Sequence, residues 1–313
     1  MKQVEPRTPG ALPRVKRDVH GWLALDKPVG MTSTHAVSVI KRLFQAKRAG
    51  HAGTLDPLAS GVLPIALGEA TKTVPFVMEG RKVYRFTVRW GEERDTDDAE
   101  GRVTATSRLR PSAEEIAAIL PRFRGVISQV PPRYSAIKIA GERAYDLARD
   151  GEFIELEPRQ VEIGRLDWLT STDPDHAVFA AECGKGAYIR ALARDMGRTL
   201  ECLAHVVALR RTAVGPFTET AAAEMGALQS SGVHELSAFL LPVETGLAAL
   251  PSLRVSSADA GRLARGQSVL LRGRDAPVVE GLVSVSAEGA LIALAEAAKG
   301  ELRPRRIFNL PRR

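Results

Sequence analysis

One carboxylate in this chain, that of Asp56, lies in a sequence context typical of a reactive side chain. Asp56 lies within the segment 48–72, between His51 and an apolar run, and Pro57 follows it directly. Proline lacks an N–H and pushes the residue before it toward an extended backbone. The four glycines of the segment tolerate the positive φ angles of a tightly shaped loop. The pattern indicates a reactive carboxylate on a stiff turn, although Asp-Pro is also common in ordinary surface turns.

A second residue with chemical potential lies in the clearest strand pattern of the chain. Over 83–90, Tyr84 alternates with apolar and aromatic residues on one face, and Arg85 and Arg89 lie on the other. Tyr84 is therefore predicted to point inward. An inward tyrosine is equally consistent with a hydrogen-bonded core residue and with an active-site aromatic.

The third candidate is an arginine in a glycine-rich turn. A predicted strand over 177–183 leads into Gly-Lys-Gly at 184–186 and then into a helix with an apolar stripe. Such a turn can hold phosphate, but the spacing of a P-loop is absent. Arg190, in the first helical turn, can pair with a carboxylate or a phosphate.

The elements around these residues have recognisable signals. Thr32 or Ser33 is placed to cap a helix, and Ser112 with Glu115 forms a capping box for another. A further helix is predicted over 142–149, and strands are predicted over 22–25, 62–67 and 161–168. Beyond a boundary between Pro242 and Pro251, short strands with a hairpin over 282–294 suggest a small β-barrel.

Charge is distributed unevenly along the 313 residues. The formal net charge of +7 divides into +3 for residues 1–20, +5 for residues 303–313 and −1 for the body between them. A pI near 9.6 suggests a polyanionic partner. Because the body has no net positive charge, it can bind such a partner only through basic residues clustered on one face. The acidic segment 95–101 is excluded as a calcium loop, because Ala99 occupies a ligand position and Gly101 comes one place late.

Targeting and redox signals favour a cytoplasmic protein. The two cysteines have neither disulfide-framework nor zinc-site spacing. The N-terminal region has no apolar stretch of signal-peptide length, and no run reaches the length of a membrane span.

Separated blocks of the chain resemble the bacterial TruB-type tRNA pseudouridine synthases, relatives of dyskerin. The blocks are LDKPVGMTS at 25–33, RAGHAGTLDPLASG at 48–61 with GEATK at 68–72, a PxYSAxKxxG segment at 132–141, and KGAYIR at 185–190 with AHVVALRR at 204–211. The match spans about 21–220 in the expected order, and its second block is highly specific.

The resemblance implies an α+β fold of the pseudouridine-synthase type. A central mixed, largely antiparallel sheet flanked by helices would be followed by a small C-terminal PUA-like β-barrel. The corresponding division is a mobile basic tail over 1–20, a catalytic domain over 21–245 and a PUA-like RNA-binding domain over 250–313.

The resemblance also implies an activity: conversion of uridine 55 in the TΨC arm of tRNA to pseudouridine. The base would be flipped out, detached from C1′, rotated and rejoined through C5, without a metal, nucleotide or organic cofactor. Asp56 would be the carboxylate that breaks and re-forms the bond. Attack at C1′ and removal of a C2′ proton toward a glycal both remain open. We expect a monomer without an obligatory protein partner.

Further roles follow from the same resemblance. Arg190 would pair with Asp56, and Tyr84 would stack on the base and take part in proton transfer at C5. Tyr188 and Leu209 would line the pocket. His51 would hold the extruded backbone or fill the vacated space, or else simply pack. Four lysines are candidate phosphate contacts: Lys27, Lys72, Lys138 and Lys185.

Three other interpretations compete with this one. A non-catalytic RNA-binding protein or RNA chaperone on the same scaffold would need only the basic face and the C-terminal domain. A phosphate-binding metabolic enzyme would use the Gly-Lys-Gly turn, but a nucleotide fingerprint is missing. A close relative acting on a different RNA would share every motif.

Overall fold

The computed structural model describes residues 16–135, 138–139, 142–143, 156–271 and 277–311, with the backbone alone for 138–139 and 142–143. The strands are β1 (Gly21–Lys27), β2 (Ala49–His51), β3 (Ala59–Leu67), β4 (Lys82–Trp90), β5 (Glu92–Arg94), β6 (Val103–Thr106), β7 (Gly125–Gln129), β8 (Lys138–Ile139), β9 (Glu142–Arg143), β10 (Arg159–Asp173), β11 (His176–Cys183), β12 (Ala204–Val214), β13 (Phe217–Thr218), β14 (Ala223–Glu224), β15 (Ser252–Arg254), β16 (Val269–Leu270), β17 (Gly281–Ala287), β18 (Ala290–Ala298) and β19 (Glu301–Ile307).

Among the described residues, helices are fewer than strands and are short. The α-helices are α1 (Ser33–Leu43), α2 (Val74–Glu79), α3 (Ala113–Ile119), α4 (Ile189–Thr199), α5 (Met225–Ser230) and α6 (Ser257–Ala264). Single 3-10 turns lie at Gly68–Thr73, Leu120–Phe123, Glu219–Ala221, Glu235–Phe239 and Val243–Leu247.

A ten-stranded mixed sheet forms the centre of the molecule. Its order is β14-β1-β3-β12-β4-β11-β10-β7, with β2 added to β3 and β13 to β12. Only β1 with β14 and β3 with β12 run parallel among these pairs, and the rest are antiparallel. The largely antiparallel sheet implied by the family resemblance is confirmed.

The middle of this sheet is buried on both faces. Leu23 and Leu25 of β1 pack in a cluster with residues of α1 and α4, whereas Trp22 and Ala24 point to a second cluster that includes Leu294 and Phe308 from the C-terminal segment. Alternation of side chains along a strand places these two sets on opposite faces. The run of five buried residues at the start of β1 follows from this two-sided burial.

The C-terminal segment forms its own five-stranded sheet in the order β15-β17-β18-β19-β16, which is compatible with the PUA-like unit that the family resemblance implies. Its predicted hairpin is confirmed: Glu288 and Gly289 join β17 to β18 with φ angles of +50° and +78°. Two positive φ angles are typical of the type I′ turn, whose twist matches that of the strands.

Several predicted elements have the expected ends. Thr32 caps α1 by accepting from the His35 N–H, and the capping box of Ser112 and Glu115 is present at α3. The strand predicted over 83–90 is β4. In the described parts of the chain, no helix is long and apolar enough to cross a membrane.

Two expectations need correction or fall outside the described residues. Glu142 and Arg143 form β9, paired with β8, so the helix predicted over 142–149 does not begin there, and 144–149 lie outside the described residues. The first fifteen residues of the predicted tail are likewise not described. Within 16–20, Arg17 is fixed, since its N–H donates to Gln45 O at 2.8 Å.

Candidate active site

The loop that carries Asp56 is held by side chains from distant parts of the chain. The Ser33 hydroxyl donates to Leu55 O at 2.9 Å and accepts from Leu55 N–H at 2.8 Å. The buried guanidinium of Arg211 donates to Gly53 O at 3.0 Å and to Thr54 O at 3.3 Å. The backbone that leads into Asp56 is therefore fixed over residues 53–55.

A close backbone approach explains one glycine of the segment. Gly61 has φ of +100°, and a Cβ there would lie 2.2 Å from the carbonyl oxygen of Arg211. Any larger residue would push β3 away from β12, the strand that also carries Leu209 and Arg211 toward the site. The prediction that Gly61 belongs to the loop is wrong, because Gly61 lies within β3, where the close approach of β12 explains the glycine.

Arg190 meets Asp56 from the first turn of α4. Its Nη2 lies 2.9 Å from Asp56 Oδ2, and Arg190 is 5% exposed. The same guanidinium donates to Tyr134 O at 2.9 Å and to Thr96 O at 2.8 Å, and its Nη1 lies 3.5 Å from Asp98 Oδ2. The arginine thus has a defined position that does not depend on Asp56 alone.

The start of α4 is itself fixed by a side chain. Gln129 of β7 donates from Nε2 to Tyr188 O at 3.2 Å and accepts from Tyr188 N–H at 3.0 Å. The Tyr188 N–H at the start of the helix has no intrahelical partner, and Gln129 supplies one. This double contact places Arg190, two residues later, against the Asp56 loop.

The phenols of Tyr84, on β4, and of Tyr188 both lie beside the Asp56 loop and line one cavity. Burial raises the pKa of Tyr84, which the neighbouring Arg211 partly opposes. Burial also raises the pKa of Tyr188. Both phenols therefore stay protonated at neutral pH and can donate a proton or a hydrogen bond.

These groups surround a cavity of about 420 Å³, open to solvent on one side. Its lining includes Asp56, Tyr84, Lys185, Tyr188, Arg190 and Leu209, together with Ser135, Arg211 and the 184–186 turn. The volume lies in the range of small-molecule sites. Six of the ten predicted site residues are thus assembled around one cavity.

The remaining candidates lie elsewhere. His51 is on β2, paired with Ile65, next to the loop but outside the cavity lining. Lys27 is fully buried, and its ammonium donates to Pro28 O at 3.0 Å and to Met31 O at 2.7 Å. In this position it does not reach a surface phosphate. The Lys138 side chain lies outside the described residues.

Lys72 and Lys185 differ in their surroundings. Lys72 lies 2.6 Å from Glu69 Oε2 and donates to Ile307 O at 2.8 Å, so it joins the GEATK segment to the C-terminal sheet. Lys185 is exposed at the mouth of the cavity and forms an ion pair with Glu79. Of the three lysines with described side chains, Lys185 has the surroundings that a phosphate contact needs.

Sequence reasoning missed four residues that shape the site: Ser33, Lys82, Gln129 and Arg211. Ser33 was visible only as a possible helix cap, and Arg211 only as part of a matching block. Lys82, at the start of β4, lines the cavity and donates to Met78 O, and burial lowers its pKa to about 8. A buried charged residue carries no local sequence signal, because its partners are brought near only by the fold.

Comparison with known proteins agrees with this geometry. Residues 41–189 match the model of the TruB family pseudouridylate synthase N-terminal domain, and residues 190–248 match the tRNA pseudouridylate synthase B C-terminal domain. The tRNA pseudouridine synthase B of Bradyrhizobium diazoefficiens is 67% identical over 303 residues, covering 95% of this chain and 88% of the relative. That of Rhizobium etli is 54% identical, covering 97% and 99%.

Solved structures show the same fold. A crystal structure of a Cbf5-Nop10-Gar1 complex superposes with a TM-score of 0.69 at 26% identity, covering 89% of this chain and 78% of that chain. An H/ACA RNP bound to a substrate RNA containing 2′-deoxyuridine gives 0.71 at 23% identity, covering 93% and 86%, and supports the fold alone.

Fold, site and relatives define the class of the protein: it is a pseudouridine synthase, an isomerase. Within that class, the chain belongs to the TruB family of tRNA pseudouridine synthases. The rival interpretation as a phosphate-binding metabolic enzyme is thereby excluded.

Proposed function

We propose that this tRNA pseudouridine synthase isomerises the uridine at position 55 in the T-arm of tRNA, with Asp56 as the carboxylate that breaks and re-forms the glycosidic bond. The observation that carries the proposal is the contact of Asp56 with the buried Arg190 at the edge of a cavity that also holds Tyr84.

The reaction rearranges bonds without any change in composition. The C1′–N1 bond breaks, the detached uracil rotates, and a C1′–C5 bond forms, after which C5 loses its proton and N1 gains one. A carboxylate can attack C1′ or remove a C2′ proton, and both routes need an ionised group. The guanidinium of Arg190 orients the Asp56 carboxylate and stabilises its negative charge.

The surrounding side chains suit a flipped-out base. Extrusion costs a few kcal/mol, which pocket contacts have to offset. Tyr84 stacks on the base and takes part in proton transfer at C5, where its phenol gives up its own proton to solvent and takes the C5 proton in return. Tyr188 and Leu209 close the pocket, and Lys185 meets a phosphate at its mouth. His51, at the end of β2, contacts the extruded backbone or fills the space left by the base.

The C-terminal sheet extends the RNA contact. Arg303, Arg305 and Arg306 of β19 are exposed, and we assign them to the acceptor side of the tRNA as phosphate contacts. The protein acts as a monomer in the cytoplasm, a setting that agrees with two free, buried thiols at Cys183 and Cys202.

The test is to treat an unmodified tRNA transcript with the protein and to map pseudouridine at single-nucleotide resolution. Modification at position 55 alone is expected, and a transcript with cytidine at that position should stay unmodified. Pseudouridine at another position, with position 55 untouched, would overturn the assignment of the target.

A further inference from the structure

The acidic segment that the sequence excluded as a calcium loop contacts the arginine of the site. Arg190 Nη1 donates to Thr96 O at 2.8 Å and lies 3.5 Å from Asp98 Oδ2. Two of the groups that hold Arg190 thus come from one loop, 96–98. The position of this loop therefore helps to set the position of the arginine, together with Tyr134 O and Asp56.

Asp97 lies between those two contacts and turns toward a different arginine. Its φ of +59° is a left-handed conformation that few non-glycine residues adopt. The Asp97 Oδ2 lies 2.9 Å from Arg194 Nη1, and each side chain is 8% exposed. Such a conformation persists where the surrounding contacts over-determine it.

Arg194 lies four residues after Arg190, on the same face of α4. Each of its three guanidinium nitrogens contacts an oxygen atom. Besides Asp97, it contacts Asp195 Oδ1 through Nε at 2.9 Å and donates to Val130 O at 2.8 Å. Two neighbouring aspartates of the loop therefore pair with arginines on successive turns of α4. Asp98 lies near Arg190, and Asp97 pairs with Arg194.

We propose that Asp97 and Arg194 are positioning residues, whose buried ion pair fixes the 96–98 loop against α4 and thereby holds Arg190 in line with Asp56. The proposal rests on the role proposed above for Asp56 and Arg190. Neither Asp97 nor Arg194 lines the cavity that contains Asp56; both line a separate cavity of about 540 Å³. Any effect of this pair on the rate is therefore transmitted through the loop.

The pair has to be tested in a way that separates positioning from stability. Burial raises the pKa of Asp97 to about 6, while Arg194 acts in the opposite direction. Removing one partner leaves a buried charge unpaired, which is strongly destabilising, whereas removing both is often neutral. The double variant Asp97→Asn with Arg194→Met is therefore the informative protein.

The measurement is the single-turnover rate on an unmodified tRNA transcript, normalised to the fraction of protein that binds tRNA. A misplacement of the order of an ångström costs up to about 100-fold in rate. We expect the double variant to react at least about tenfold more slowly than the wild type, with its tRNA dissociation constant within about threefold. A smaller fall in rate overturns the proposal.

A matched control is available one turn further along α4. Arg198 pairs with Glu93 at 2.7 Å and is half exposed, and its hydrogen bonds within the described residues go to Glu93 and not to the 96–98 loop. The double variant Glu93→Gln with Arg198→Met removes a more exposed carboxylate–arginine pair from the same helix and should react at the wild-type rate. Asp56→Asn separates the two proposals: full activity of that variant contradicts the role of Asp56, whereas wild-type activity of the Asp97 and Arg194 double variant contradicts only the positioning.

Discussion

Arg190 and Asp56 form an asymmetric pair. The arginine is buried and held by further contacts, whereas the carboxylate is more exposed and faces the cavity. The two side chains are 5% and 37% exposed, and Nη2 lies 2.9 Å from Oδ2. Arg190 also donates to the carbonyl oxygens of Thr96 and Tyr134. The arginine is therefore preorganised before RNA binds, and it stabilises the negative charge of the Asp56 carboxylate in the wall of the cavity.

Replacing this arginine by lysine should not be conservative. An ammonium group cannot reach Asp56 and both carbonyl oxygens in the planar geometry of a guanidinium. We expect Arg190→Lys to lower the single-turnover rate by about 100-fold while tRNA binding stays close to the wild-type value. Turnover near that of the wild type would show that the pairing is dispensable.

Ser33 should influence the rate although it does not line the cavity. Ser33→Ala leaves both the N–H and the C=O of Leu55 without their buried partner, at a cost of about 1–3 kcal/mol in the free energy of unfolding. Because Leu55 precedes Asp56, we expect the rate to fall about tenfold as well. Urea unfolding and single-turnover kinetics measure the two effects.

Ser38→Ala is the control for Ser33, since Ser38 lies on the same helix and is exposed, and within the described residues its hydroxyl bonds only to Thr34 O. Equal behaviour of the two alanine variants would refute a role for Ser33 in holding the loop.

Lys27 should make the free energy of unfolding increase as the pH rises from neutral to alkaline values. Burial lowers the pKa of Lys27 from 10.5 to about 8, which Asp56 partly opposes. Since this folded-state pKa lies below the unfolded value, the unfolded chain binds the proton more tightly between those pH values, and stability rises with pH there. From pH 7 to pH 9 the contribution of one such lysine is about 1 kcal/mol.

The comparison with Lys27→Met isolates this contribution. Urea unfolding of both proteins at pH 7 and pH 9 should show a larger gain, or a smaller loss, of stability for the wild type. The two buried thiols contribute equally to both proteins and cancel in the difference. Parallel pH dependences would mean that Lys27 is not buried in its charged form.

Lys72 should stabilise the attachment of the C-terminal sheet. Its ammonium contacts Glu69 and donates to Ile307 O, and Glu69 Oε2 accepts from the Asn309 N–H at 2.8 Å. Lys72→Met leaves the buried Glu69 without its cation, so the free energy of unfolding should fall by about 2 kcal/mol. Hydrogen exchange at 307–309 should accelerate in parallel.

Lys47→Met serves as the control for Lys72, because Lys47 and Asp18 form an exposed ion pair. Exposed pairs contribute little to stability, so this variant should unfold like the wild type. If Lys72→Met also unfolds like the wild type and keeps its slow exchange, Lys72 does not anchor the sheet.

Local signals predicted the elements that position the site. The alternation over 83–90 placed Tyr84 on β4, and the capping residues at Thr32 and Ser112 marked helix starts that the structure confirms. These features depend on neighbours within a few residues, which is why they can be read from sequence. The resemblance to the TruB family supplied the pairing of Asp56 with Arg190, which spacing alone left open.

The contacts that hold the site could not be predicted in this way. Ser33, Gln129 and Arg211 act on loops that are far away in sequence, so their partners become visible only once the sheet order is known. The resemblance made Lys27 and Lys72 candidate phosphate contacts, but their ammonium groups are bound to carbonyl oxygens or to a buried carboxylate. Burial of a charge is a property of the packed fold and leaves no trace in local spacing.

The most direct test of the proposed mechanism is tritium release from C5-labelled uridine in an unmodified tRNA transcript, measured for Asp56→Asn beside the wild type. Asparagine keeps the shape of the side chain but can neither attack C1′ nor take a proton from C2′. Tritium release should therefore be abolished, with the tRNA dissociation constant within about threefold of the wild-type value. Continued release by the variant would contradict the assignment of Asp56 as the reacting carboxylate.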